Sequence, residues 1–137
     1  MDDFNTRAAL ALGVAAGSAV VMTGHAAAQP YWTVQGREIA PGVRVVQHGK
    51  GESMIPGYKS VSMRDLVYQP KAKSSIVQAN DCICHCPEGE LRVKRSNGHE
   101  FTARAGDVWA CHKGLGEDVE NTSAGVAVMR MIDLLPA

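Results

Sequence analysis

From Val43 to the C-terminus the chain is a succession of short β-prone runs, each cut off by turn-forming residues. The runs fall at residues 43–46, 59–68, 74–78, 82–86, 90–95, 100–104, 108–111 and 126–132. Between them stand His48-Gly49-Lys50-Gly51, Gln69-Pro70, Ser96-Asn97-Gly98 and Ala105-Gly106-Asp107. Asn-Gly is a strong hairpin signal because both residues tolerate positive φ. No amphipathic helix of useful length follows the N-terminal region. Many short strands with closely spaced turns bury their apolar faces together in an antiparallel sandwich or barrel. The expected class is therefore all-β.

The 137 residues suffice for one domain and not for two. Lys plus Arg equals Asp plus Glu at 14 each, so the chain carries no basic footprint for nucleic acid. No Lys/Arg-rich run suggests an acidic membrane surface either. Partners of this composition are small molecules, metal ions or another subunit.

Residues 8–22 form an uncharged apolar stretch, AALALGVAAGSAVVM, followed by Ala26-Ala27-Ala28. An apolar core followed by small residues at both positions of an A-x-A site is the pattern of a secretory signal. The stretch is shorter than the roughly 20 residues that span a bilayer comfortably. Asp2 and Asp3 offset Arg7 and the terminal amine, which departs from the usual positive start. The expectation is a signal peptide over residues 1–28, a mature domain over 29–137, and a periplasmic or secreted protein with no stable membrane span after cleavage. An uncleaved N-terminal anchor is the alternative. An oxidising compartment would permit disulfides among the four cysteines, all of which lie in the mature part.

The stretch from about Tyr68 to Leu135 resembles the cupin family. The second cupin motif is written G-x5-P-x-G-x2-H-x3-N. Here Gly106, Gly114 and Asn121 match it in identity and spacing, while His112 stands for the proline and Glu117 for the metal-binding histidine. The first motif, G-x5-H-x-H-x3,4-E-x6-G, would end at Gly89 and place Cys82 at the glutamate ligand position. Its paired histidines would fall at Ile76 and Gln78, or at Ser75 and Val77. The resemblance implies a cupin-type antiparallel β-barrel (a jelly roll), an interior ligand site, and a homodimer as its usual assembly.

Cys82-Ile83-Cys84-His85-Cys86 is the most unusual segment. Alternation along a strand puts the three cysteines on one face and Ile83 and His85 on the other. If Cys82 holds the ligand position, the cysteine face is the barrel interior, and Cys111 at the end of its strand can approach the same cavity. Strand residues two apart are about 6.5–7 Å apart at Cα and those four apart about 13 Å. With a zinc–sulfur bond of about 2.3 Å, one ion could take two neighbouring thiolates but hardly all three. The candidate ligands are Cys82 with Cys84, or Cys84 with Cys86, joined by Cys111 and by Glu117 or His112. Thiolate donors suit zinc or cuprous copper better than magnesium or calcium.

Two other readings of the cysteines stand beside this one. Cys111 could form a disulfide with one of the trio, or the thiols could act as small buried hydrophobes. His85 is expected on the outside, Gln78 and Glu117 are candidates for the cavity lining, and Trp109 for the core or cavity wall. Three functions follow: a soft-metal or small-ligand binding protein, a metal-dependent enzyme of dioxygenase or isomerase type with Cys82 and Glu117 as replacement ligands, or a metal-free, disulfide-stabilised accessory protein.

Overall fold

The computed structural model describes residues 35–137, and the expected signal peptide and its cleavage site lie outside the described residues. These residues form ten strands: β1 (Arg37–Ala40), β2 (Val43–Glu52), β3 (Tyr58–Tyr68), β4 (Lys73–Val77), β5 (Asp81–Glu88), β6 (Glu90–Arg95), β7 (Glu100–Arg104), β8 (Val108–Cys111), β9 (Gly116–Asn121) and β10 (Ala127–Pro136). They make a six-stranded sheet in the order β1-β2-β3-β10-β5-β8 and a four-stranded sheet in the order β4-β9-β6-β7. Every strand pairing is antiparallel. No helix among the described residues is long and apolar enough to cross a membrane.

The two sheets enclose one core, and the alternation of each strand decides what enters it. Leu66 and Tyr68 of β3, Met129 and Met131 of β10, Leu91 and Val93 of β6 and Val119 of β9 are all fully or almost fully buried in it. Each such aliphatic side chain contributes about 1.5–3 kcal/mol by leaving water. The cysteine row obeys the same rule. Cys82, Cys84 and Cys86 are buried in the core, whereas Ile83 between them is 39% exposed.

Two positions of the motifs have direct structural causes. Gly89, which joins β5 to β6, has φ +80°, and a Cβ there would lie 2.6 Å from the Cα of Ala127. Both the backbone conformation and the closeness of β10 exclude a side chain. Asn121 is fully buried; its Nδ2 donates to the carbonyls of Tyr68 and Gly125, and its Oδ1 accepts from the N and Oγ of Ser123. One side chain thereby holds the turn between β9 and β10 against the end of β3.

The hairpin expected at Ser96-Asn97-Gly98 joins β6 to β7, with Gly98 N donating to Arg95 O and only Gly98 of this turn at positive φ. The structure corrects three other expectations. His48-Gly49-Lys50-Gly51 is not a terminating turn but part of β2, which stays paired with β3 out to Glu52 opposite Ser60. A register shift between Gln47 and Gly49 absorbs His48 as a bulge, so the strand bends without ending. The last run continues beyond Ile132 to Pro136, because β10 lies between β3 and β5 and is paired on both sides. Finally, residues 116–121 form a strand of their own. With one apolar side chain, Val119, this segment carries almost no hydrophobic alternation, yet Glu117, Val119 and Asn121 all point inward.

Candidate metal centre

Strand pairing assembles the thiols. Cys82 of β5 lies opposite Cys111 of β8, and Cys84 lies opposite Trp109 two rungs further in. The sulfurs of Cys82 and Cys84 are 3.8 Å apart and those of Cys84 and Cys111 are 3.9 Å apart. All three lie within 4.8 Å of one another, and all four cysteines of the chain are free thiols. Two of the three come from one strand, as strand spacing requires, and the third arrives from the neighbouring strand.

Cys86 belongs to the same buried face but not to this group. Its thiol faces the carbonyl oxygens of Glu88 and Gly89 at 3.4 and 3.7 Å, and burial raises its pKa. His112 is exposed, with Nδ1 2.8 Å from the carbonyl of Lys113. His85 stands on the outer side of β5, with its Nδ1 against the carbonyl of Asp107 at 3.1 Å.

Glu117 is brought to the thiols from the opposite sheet. It is 2% exposed, and its Oε1 accepts from Cys111 Sγ at 3.2 Å and from Arg95 Nε at 3.1 Å. Its Oε2 accepts from Gln78 Nε2 at 3.1 Å. Burial pushes its pKa up to about 7, helped by the neighbouring Cys111, while Arg95 acts in the opposite direction. The segment's acidic composition suggests a solvated carboxylate; the fold instead buries Glu117 because Arg95 and Gln78 meet it there.

Arg95 is the residue the sequence reading overlooked. It continues the inward series Leu91, Val93, Arg95 along β6, and that alternation was the available signal. Its Nη2 donates to the carbonyl of Ala110 at 2.8 Å and lies 3.6 Å from Cys111 Sγ. The guanidinium sits over the ring of Phe101, which packs edge-on against Trp109. Two buried polar atoms at this end of the core have no partner among the described residues: Gln78 Oε1 and Trp109 Nε1.

The thiols share charge unequally. Hydrogen bonds from Cys111 and Cys84 lower the pKa of Cys82, whereas Cys84 and Cys111 are raised by giving up those protons less readily. Asp133, opposite Cys82 on β10, adds a negative charge that Arg64 offsets at 2.9 Å.

No family model and no curated protein matches the chain. Solved structures with the same architecture include the cupin domain of Cnp3 from Schizosaccharomyces pombe, at 12% identity and a TM-score of 0.60, covering 80% of this chain and 74% of that one. A cupin domain from Bordetella pertussis gives 16% identity and a TM-score of 0.55, with 72% and 98% covered. The chain has the cupin fold. An oxalate oxidase structure shares this cupin-type barrel at 18% identity and a TM-score of 0.56, over 80% of this chain and 61% of that one. Of the residues expected to line the interior, Glu117 meets Gln78 and Cys111, and Cys82 is one of the clustered thiols.

The donor set fits a soft ion. A tetrahedral site with bonds of about 2.3 Å to sulfur has sulfur–sulfur edges of about 3.8 Å. The two thiol contacts centred on Cys84 already have that length. Cys82, Cys84 and Cys111 would hold the ion, and Glu117 touches the cluster only at Cys111. The ion would act there as a Lewis acid or as a structural tie, and the thiolates, carboxylate and Arg95 would set its charge.

Proposed function

We propose that the protein is an exported cupin-fold protein that binds one soft metal ion, zinc or cuprous copper, through Cys82, Cys84 and Cys111. The observation that carries this reading is the pair of sulfur–sulfur separations of 3.8 and 3.9 Å among buried free thiols. Two contacts between buried thiols that share Cys84 are a poor way to fill a core if apolar packing were their only task. As an ion binds, the thiols lose their protons, and Glu117 Oε1, which already accepts the Cys111 S–H, is placed to receive one of them. Arg95 limits the negative charge that accumulates on the sulfurs and Glu117.

A metal-dependent enzyme is the second reading, and one observation favours it. Gln78 Oε1 is buried beside Glu117 without a hydrogen-bond partner, which is what a polar ligand or bound water would require. Cys82 and Glu117 would then be the replacement ligands, with a coordination position left open.

The test is native mass spectrometry of the protein recovered from the periplasm or medium, with thiols counted after denaturation. One zinc or copper per chain, four thiols after metal removal and a mass beginning at Gln29 are the expected results. A metal-free protein with disulfides would favour the accessory reading, and an unprocessed mass in the cell membrane would favour the anchor.

A further inference from the structure

The thiol cluster is buried, so an ion that reaches it needs a route. Of the three cysteines, Cys84 is fully buried, while Cys82 and Cys111 retain 2% and 7% exposure and form the last rung of the β5–β8 ladder. Both line a groove of about 390 Å³ whose rim includes Tyr58, Asp81, His112 and Leu134. Asp81, which opens β5, and His112, which follows β8, are the residues immediately outside that rung.

Both rim side chains are held in position. Asp81 Oδ2 accepts from Tyr58 OH at 2.6 Å and its Oδ1 from Lys113 N at 2.9 Å. Each carboxylate oxygen accepts one of these bonds and retains a lone pair. The carbonyl of Lys113 can only accept, so the contact at 2.8 Å places the proton of neutral His112 on Nδ1. The lone pair is thereby fixed on Nε2, the arrangement found in metal-binding imidazoles whose other nitrogen is tethered. Lys113 is the nearby opposing cation, while Asp133 pairs with Arg64 and Glu117 with Arg95.

We propose that Asp81 and His112 form a capture site at the mouth of the thiol cluster, which takes a divalent or cuprous ion from solution and passes it to Cys82 and Cys111. This inference rests on the thiolate reading above. The capture site offers one carboxylate oxygen and one imidazole nitrogen, too few donors to retain an ion against three thiolates. Its place between solvent and the two outermost sulfurs makes it a step on the path. A residue that only lines a path changes entry and exit alike, because the same barrier is crossed in both directions.

Cobalt(II) is a suitable probe, since thiolate coordination gives it a charge-transfer absorption. Loading is followed by stopped flow in the full-length mature protein, and release is followed after adding a chelator. In His112→Ala and Asp81→Asn, loading and release should both slow by the same factor, roughly tenfold, with the dissociation constant unchanged within about twofold. Unchanged loading rates in both variants would overturn the proposal. So would a weakened affinity at an unchanged loading rate, which would put His112 in the final coordination shell. His112→Ala removes an exposed side chain and keeps the test valid should Asp81→Asn disturb the fold. A wild-type protein that gives no thiolate–cobalt absorption would instead overturn the thiol site itself, a result separate from any change in rate.

Discussion

The sulfur of Cys111 lies 3.2 Å from Glu117 Oε1, and this contact joins the six-stranded sheet to the four-stranded sheet at the thiol cluster. Cys111 ends β8 in one sheet and Glu117 begins the inward face of β9 in the other. The candidate centre is therefore a product of sheet-on-sheet packing, and its properties respond to changes on either side.

Cys84 is the common vertex of the two sulfur contacts. Cys84→Ser should weaken binding of zinc or cuprous copper by more than the roughly 10–100-fold that loss of an outer-shell partner costs. Cys86→Ser should leave the affinity nearly unchanged, because the Cys86 thiol faces the Glu88 and Gly89 carbonyls. Competition titration with a chromophoric chelator measures both. Equal losses in the two variants would place the ion further along the row.

Glu117 gives the metal-free protein a specific pH dependence. Its pKa is raised in the folded state to about 7 from an ordinary 4.5, so the folded protein binds more protons than the unfolded chain between those values. Its contribution to stability is present below about pH 4.5 and is lost as pH rises through about 7. Chemical denaturation of the apo protein across that window should show this decline. Glu117→Gln should flatten it, and a variant retaining the full slope would assign the dependence to other groups.

Arg95 compensates a carboxylate that has no access to water. Arg95→Met should destabilise the apo protein by roughly 3 kcal/mol, because the Glu117 charge is left buried and unpaired. Much of that loss should return in the double variant with Glu117→Gln, in which there is no charge to compensate. Urea midpoints of the four proteins decide this, and strictly additive losses would show that the pair is not coupled.

Asn121 satisfies groups at three places with one side chain. Asn121→Ala removes its bonds to Tyr68 O, Gly125 O and Ser123, and should cost about 3 kcal/mol in thermal or urea unfolding. A loss below about 0.5 kcal/mol would mean that water replaces it freely.

The sequence by itself determined the all-β class, most of the strands, the interior face of the cysteine row and the turns at Gly98 and Gly106. These are consequences of local stereochemistry: period-two alternation assigns Cys82, Cys84 and Cys86 to one face, and glycine at 98 and 106 supplies the positive φ that the turns need. It also identified Glu117, Gln78 and Asn121 as motif positions, without showing whether they were buried. Only the tertiary structure decided which thiols meet. Cys86 shares the face of Cys84 but not its company, because the antiparallel register sets Cys111 opposite Cys82 at the other end of the row. The strand carrying Glu117 was hidden for a related reason. Its inward residues are Glu117 and Asn121 as well as Val119, and polar side chains enter a core only where partners from other strands satisfy them. Those partners, Arg95 and Gln78 for Glu117 and the Tyr68 carbonyl for Asn121, are distant in sequence, so no local pattern announces them.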